Sequence, residues 1–481
     1  MIRGWIDKLT DPDRALCFAM NSCIEAAAVR YALDARCERY REGEPLKLFL
    51  ANYVGSRNTG SDVRVEEICR QLRAVLGDDQ LQITTLTFDP AKTAGYFRAV
   101  RQVRLPRFFP PFLAEEVPKH HGVIACEGSM FKSKFSNALS IMMAGALGLA
   151  ANEGKLGVGY GGEAGAMDDS LARFVRKHCQ RSLVICRNEP SRKVLGALGV
   201  RTASGTDTAW TFQPARPEVG FARLREVGWD GVQPLLIVCP INPFFWPAKP
   251  DLLKTAALKL AGQFGEDHYD AAYFHSWSET AERRYDAYLD GLARATREFV
   301  SQTDAFLVCV GMEALDRHAC SDLIARLPQP APMLVSDEHD MYTLVSVLRH
   351  ADLLVSSRFH AMVTSMPAGV PSVGVTMDER ITNLLNDRGH PQLLMRVDEP
   401  GLGERLISAM RLAYAERDRV RAEIRAFIPS QLRMLGQMGI DFEAELLRIY
   451  PNFPRRDVPR KPEYYLPPLA PELHDLLEAH A

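Results

Sequence analysis

Residues 351–380 read ADLLVSSRFHAMVTSMPAGVPSVGVTMDER. The apolar run Leu353-Leu354-Val355 has the character of a buried strand and ends in the polar cluster Ser356-Ser357-Arg358-Phe359-His360. A helix-compatible segment, Ala361 to Ala368, follows; Gly369-Val370-Pro371 makes a turn and Ser372 to Val375 a second short strand. Strand, polar loop, helix and strand in that order form the unit of a parallel α/β sheet. In open sheets of this kind ligands bind outside the carboxyl ends of the strands, where Arg358 and His360 fall. The helix that starts there adds unpaired N–H groups, which favour an anion.

The same unit recurs on both sides of this stretch. Before it, strands are predicted at Lys47–Val54, Leu81–Phe88, His121–Cys126, Lys155–Tyr160 and Ser182–Cys186, five in all, with helices such as Val63–Leu76, Asn137–Ala150, Ser170–His178 and Ser191–Leu198 between them. Around it, strands are predicted at Leu235–Cys239, Ala305–Val310, Met333–Val335 and Leu393–Val397, with helices at Asp251–Phe264, Ala281–Gln302 and Asp340–Arg349. The Pro-, Gly- and charge-rich stretch 211–234 reads as a linker. The fold class is therefore α/β: two Rossmann-like lobes facing a cleft, with helical extensions at both ends. The divisions are a helical extension over 1–45, a first lobe over 46–215, a linker over 216–234, a second lobe over 235–402, and C-terminal helices with a Pro-rich strap over 403–481.

A length of 481 residues suits two large domains with extensions, and 47% hydrophobic with 25% charged residues is ordinary for a globular protein. A net charge of −2 gives no general attraction to nucleic acid. The opening MIRGWIDKLTDPDRA lacks the apolar region of a secretory signal, and the apolar stretch Ala138–Ala151 is too short to span a bilayer. Ten cysteines without a C-x-x-C pair suit reduced, buried thiols. The expectation is a cytoplasmic protein without a transmembrane segment.

Several residues carry chemistry. The first predicted strand runs into Gly55-Ser56-Arg57-Asn58-Thr59-Gly60-Ser61-Asp62 ahead of a helix, a phosphate- or sugar-binding geometry that is also an ordinary βα turn. The third ends in Glu127-Gly128-Ser129, and the fifth at Arg187. Arg358 and His360 could be a structural ion pair and a core histidine, yet both leave one strand end where ligands bind. A guanidinium suits phosphate or carboxylate, and a histidine can donate to an anion or move a proton. Asp62 and Glu127 are candidate acid/base groups. Gly157, Gly159 and Gly162 match G-x-G-x-x-G only formally, because little strand precedes them and the acidic partner about 20 residues on is missing. No H-E-x-x-H, P-loop or G-x-S-x-G pattern occurs, so no metal is required, and the aromatic loops Phe244–Trp246 and Tyr273–Trp277 read as packing more than sugar stacking.

Taken together, Gly55–Asp62, Glu127-Gly128-Ser129, Leu183–Leu195 and above all Ala351–Leu385, with its Ser-Arg-Phe-His core and Gly-Val-Pro turn, resemble the polysaccharide pyruvyl transferases over roughly Lys47–Gly389. The resemblance implies a GT-B-like fold and transfer of the pyruvyl group of phosphoenolpyruvate onto sugar hydroxyls in exopolysaccharide biosynthesis, usually as a ketal. Phosphoenolpyruvate is then a co-substrate and no cofactor is needed. By resemblance Arg187, Arg358 and His360 hold phosphoenolpyruvate, with His360 and Arg358 in the chemistry and Asp62 or Glu127 as the base. The acceptor falls to the first lobe, on Asn58, Thr59, Gly60, Ser61, Gly128 and Ser129. Three departures stand out: Asp62 does not directly follow its glycine, Cys126-Glu127-Gly128-Ser129 has fewer glycines than usual, and Arg380 stands where a lysine is usual. Two other readings compete, a glycosyltransferase using a nucleotide sugar and a non-catalytic carbohydrate-binding homologue. The C-terminal helices and strap could pair subunits into a homo-oligomer, and a lipid-linked acceptor would bring the protein to a membrane surface.

Overall fold

In the computed structural model, residues 12–33, 38–250, 254, 273–276 and 278–480 are described. The first lobe holds β1 (Leu46–Ala51), β2 (Leu81–Thr87), β3 (Val100–Arg104), β4 (Gly122–Ala125), β5 (Leu156–Gly162), β6 (Leu183–Cys186) and β7 (Arg201–Ser204). They pair in the order β3-β2-β1-β4-β5-β6-β7, all parallel. The second lobe holds β8 (Leu235–Cys239), β11 (Phe306–Gly311), β12 (Met333–Val335), β13 (Leu353–Ser356), β14 (Ser372–Thr376) and β15 (Leu394–Arg396). These pair in the order β12-β11-β8-β13-β14-β15, again all parallel. A small antiparallel pair, β9 (Lys249–Pro250) and β10 (Tyr273–Phe274), stands apart. Apolar runs such as LLIVC in β8, buried at every residue, are what a strand covered by helices on both faces requires.

Strand order decides where the site lies. Each sheet reverses direction once, between β1 and β4 in the first lobe and between β8 and β13 in the second. Chain leaving two adjacent strands in opposite directions opens a crevice at their carboxyl ends. The loop after β1 carries Asn58–Asp62, that after β4 carries Glu127–Ser129, and that after β13 carries Arg358 and His360.

The structure departs from the sequence reading at the edge strands, in the expected linker and in the C-terminal tail. The first sheet has seven strands, not five, because β3 (VRQVR) and β7 (RTAS) are short polar edge strands with no apolar run to announce them. Residues within the expected linker form the helix Pro217–Glu226, with Pro217 in its first turn; it packs on the helix Met341–Leu348, where the Gly220 N–H donates to Ser346 Oγ at 3.2 Å. The glycines of the formal G-x-G-x-x-G lie on β5 itself, where a Cβ at Gly157 would stand 2.8 Å from Ser182 Oγ and one at Gly162 2.9 Å from Met130 Sδ. They serve sheet packing and no dinucleotide turn. The tail expected as an extended strap includes a short helix, Pro471–Glu478. The predicted helix Asp251–Phe264 and most of the aromatic stretch 268–277 lie outside the described residues.

The C-terminal extension divides between the lobes. The helix Leu402–Ala415 packs on Glu279–Thr303 of the second lobe, whereas Arg417–Ile449 crosses to the first and lies on the helix Thr59–Leu76 and on β5 and β7. Gln71 ties this arrangement together: its amide donates to the Leu435 and Tyr465 carbonyls at 2.7 and 3.1 Å and accepts from the Tyr160 hydroxyl at 2.9 Å. At the N-terminal end, the helix Pro12–Ala32 buries Met20 and Ile24 against Asn137–Asn152. Among the described residues no helix is long and apolar enough to cross a membrane.

Gly436 lets the crossing helix touch the strap, since a Cβ there would overlap the Pro462 carbonyl. Gly436→Ala is expected to lower stability by about 1–3 kcal/mol, the usual cost of overpacking, read as a lower urea midpoint together with faster proteolysis of the strap around Pro462.

Candidate active site in the interlobe cleft

The second lobe contributes Arg358. Ser356 Oγ accepts from the Arg358 N–H at 2.9 Å and donates to the Arg358 carbonyl at 2.8 Å, which pins the chain as it leaves β13. The guanidinium then meets two carboxylates. Its Nε donates to Asp316 Oδ2 at 2.8 Å, an NH2 nitrogen bonds the other Asp316 oxygen, and the same nitrogen lies 2.8 Å from Glu313 Oε2. Burial disfavours the Arg358 charge, but Asp316 and Glu313 outweigh it and hold the group above its ordinary value. Asp316 is itself fixed, accepting from the Met312 and Glu313 N–H groups at 3.0 and 3.1 Å. Burial pushes its carboxyl up to about 6 against the pull of Arg358.

The first lobe contributes two loops. Asn58 caps the helix Thr59–Leu76, its side chain accepting from the Ser61 N–H at 3.1 Å. Ser61 Oγ donates to Glu127, whose other oxygen accepts from the Gly128 N–H at 2.8 Å, so the two loops hold each other. Thr59 N–H donates across the lobe boundary to the Met312 carbonyl at 2.8 Å, and Ser336 Oγ donates to the Arg57 carbonyl at 2.6 Å.

Behind these loops lies a buried ion network centred on Asp207. One Asp207 oxygen accepts from Arg64 at 2.6 Å and Arg187 at 2.9 Å, and stands 3.4 Å from His360 Nε2. Burial alone would raise the Asp207 carboxyl, but Arg64, His360 and Arg187 together hold it well below the carboxylate range. Arg187 also bonds Glu163 and lies over the Phe359 ring at 4.6 Å; burial lowers it to about 10. Burial likewise lowers the His360 imidazole, against Asp207. Two glycines permit this contact. A Cβ at Gly60 would overlap the His360 ring, and one at Gly128 would lie 2.8 Å from the Arg187 guanidinium.

The sequence-predicted residues thus fall into layers. Asn58, Glu127, Ser129 and Arg358 line the cleft together with Glu313, Arg107, Arg380 and aromatic side chains including Phe109, Phe245 and Trp246; its empty space, open to solvent, is about 1260 Å3. Thr59, Gly60, Ser61 and Gly128 form the layer beneath, and Arg187 and His360 lie behind it. Asp62, 1% exposed, is absent from the lining, and its Oδ1 has no hydrogen-bond partner. Of the two carboxylates expected as a base, only Glu127 opens on the cleft.

Sequence reasoning missed Arg64, Asp207, Glu313 and Asp316, and also Lys132 and Lys134, which come from the first lobe to meet the start of the helix Glu379–Asp387. Lys132 Nζ lies 2.8 Å from Glu379 and Lys134 Nζ donates to the Met377 carbonyl. Arg380 pairs with Asp378 at 2.8 Å and covers the Phe135 ring at 5.0 Å. Glu313 and Asp316 follow β11 as Arg358 follows β13, so strand-end position was a usable signal for them. Asp207 follows β7, the edge strand the sequence concealed.

Residues 155–379 match the polysaccharide pyruvyl transferase family model. The matched stretch runs from β5 to the start of the helix Glu379–Asp387 and contains Arg187, Asp207, Glu313, Asp316, Arg358 and His360. The pyruvyl transferase-like stretch leaves out the first-lobe loops Asn58–Asp62 and Glu127–Ser129. No curated protein matches the chain. Among solved structures, the Anabaena protein HepE in complex with UDP-glucose is similar at 12% identity and a TM-score of 0.52, over 83% of this chain and 99% of that one. The UDP-GlcNAc 2-epimerase from Neisseria meningitidis bound to UDP-GlcNAc aligns at 9% identity and a TM-score of 0.49, over 84% and 100%. The likeness to HepE is one of fold, and the two parallel sheets facing a cleft are the GT-B-like architecture that the resemblance implied.

Burial raises the Asp62 carboxyl to about 8, against Arg57 and a backbone N–H from Gly55. The folded protein therefore favours the protonated form, and this contribution to stability is full below the unfolded value near 4 and is lost as pH rises through about 8. Asp62→Asn should remove this dependence, so that its urea midpoint gains on wild type between pH 5 and 8.5 by the equivalent of a few kcal/mol. Parallel pH profiles of the two proteins would show that Asp62 is not protonated in the fold.

Proposed function

We propose that the protein transfers the pyruvyl group of phosphoenolpyruvate to a hydroxyl of a carbohydrate acceptor bound in the interlobe cleft. The observation that carries this reading is the placement of Arg358. Within the stretch that matches the family, at the switch point of the second sheet, a guanidinium faces Glu127 and Ser129 of the first lobe across the cleft. A small donor with phosphate and carboxylate groups needs cations, and Arg358 and Arg380 both line the space. The donor is a co-substrate and the chemistry asks for no metal.

In this reading a general acid protonates the methylene carbon, and C2 gains oxocarbenium character stabilised by the carboxylate it carries. Glu127 accepts the proton of the acceptor hydroxyl as its oxygen bonds C2, and phosphate then leaves. Attack of a second hydroxyl on C2, with its proton passing to the departing phosphate, gives a ketal. Asn58 and Ser129 orient the acceptor. Arg187 and His360, which the resemblance puts on the donor, stand behind the Gly60 and Gly128 loops beside Asp207.

The test is a thermal-shift and calorimetric comparison of phosphoenolpyruvate with a panel of nucleotide sugars. Millimolar phosphoenolpyruvate should raise the Tm of wild type and leave Arg358→Ala unmoved, because a ligand bound by the folded state alone adds RT ln(1 + [L]/Kd). Arg358→Ala should also lower kcat/KM by about 30- to 900-fold, the equivalent of about 2–4 kcal/mol for an electrostatic donor, with Arg358→Lys as a control that keeps the charge beside Asp316. A shift with nucleotide sugars and none with phosphoenolpyruvate would overturn the donor and favour glycosyl transfer.

A further inference from the structure

The pairing of Arg358 poses a charge problem that the proposed reaction must solve. One guanidinium serves two carboxylates, Asp316 and Glu313, so the cation meant to draw an anionic donor is already over-neutralised. The two acids are held differently. Asp316 accepts from two backbone N–H groups and bonds Arg358 through both oxygens, which makes it part of the scaffold. Glu313 meets the guanidinium through one oxygen, while its other oxygen faces the Tyr53 hydroxyl at 3.4 Å, and it lines the cleft.

Resting on the pyruvyl-transfer reading, we propose that Glu313 is the exchangeable counter-ion of Arg358 and the acid of the transfer: it yields the guanidinium to an anionic group of the donor, takes up a proton, and passes that proton to the methylene carbon. A carboxylate left facing a bound anion is strongly disfavoured, and protonation removes the repulsion. The carboxylates around Glu313 favour its protonation, with Asp316 on the same guanidinium and Glu127 lining the cleft from the first lobe, whereas the cations Arg380 and Arg107, which also line the cleft, oppose it. Asp316, raised chiefly by burial, also feels Glu313 as a like charge on the shared guanidinium. His360 is the poorer acid, since Gly60 stands between it and the cleft.

The step balances. The C2=C3 pair takes the Glu313 proton to form a C3–H bond, the acceptor oxygen bonds C2, and the hydroxyl proton goes to Glu127. Glu313 returns as a carboxylate to Arg358, and the later break of the C2–O bond leaves its electron pair on phosphate.

Proton uptake distinguishes this role from a structural one. Titration of phosphoenolpyruvate into the full chain near pH 7.5, in two buffers of different ionisation enthalpy, should show about one proton taken up per donor bound. Glu313→Gln should bind the donor as tightly as wild type or more so, take up none, and turn over at least 100-fold more slowly. Glu313→Asp keeps a titratable group and should retain the uptake, which holds the proposal open to test even if the Gln variant folds poorly. Donor binding without uptake in wild type, or uptake unchanged in Glu313→Gln, would overturn the role of Glu313 and leave pyruvyl transfer standing. No binding of phosphoenolpyruvate by wild type would remove the reaction and this proposal with it.

Discussion

Asp207 accepts hydrogen bonds from Arg64 and Arg187 of its own lobe and faces His360 of the other, all but out of reach of water. Such a group is costly to bury and costly to disturb, because removing one partner of a buried pair strands the rest at about 3–5 kcal/mol. Arg64 adds bonds to the carbonyls of Cys126, Tyr160 and Gly161, so the hub also fixes the chain ends of β4 and β5. The lobes meet where that hub lies, and the loops that line the cleft rest against it.

The wall of the cleft is crowded with paired charge. Arg358 shares Asp316 and Glu313, Arg380 holds Asp378, and Lys132 reaches Glu379 and Glu163. Little of this is surface decoration, since the carboxylates of Glu313, Asp316 and Asp378 are each at most 3% exposed and interact through a poorly screened medium. Cations already satisfied by carboxylates bind an anion only by exchange. Phe109, Phe245 and Trp246 add apolar wall to the same space.

Much of the fold was legible because burial on both faces leaves a plain mark in the chain. LLIVC of β8 and the LLV of β13 could be little else than parallel strands. The edges were not legible: VRQVR of β3 pairs along one side only and shows no apolar periodicity. Pro217 was misread for a related reason, since proline marks a break in some contexts and the first turn of a helix in others. The site was half legible. Arg358 and Glu127 were found by position at strand ends, yet the same rule applied to β11 would have found Glu313 and Asp316. Lys132 and Lys134 follow a loop that shows nothing of the lobe it will meet.

The chain alone determined two βα series, the strand-end cations Arg358 and Arg187, and the likeness to pyruvyl transferases, because these rest on local runs and spacings. Tertiary structure decided which of those groups see the cleft. Arg187 and Arg358 look equivalent in sequence, but the loops at Gly60 and Gly128 cover the first and its neighbour His360, while the second lines the cleft, paired to two carboxylates. Charge in a protein is set by what surrounds it, and the partners of these residues come from other strand ends, 20 residues away for Arg187 and Asp207, 42 for Arg358 and Asp316, and from the other lobe for His360 and Asp207.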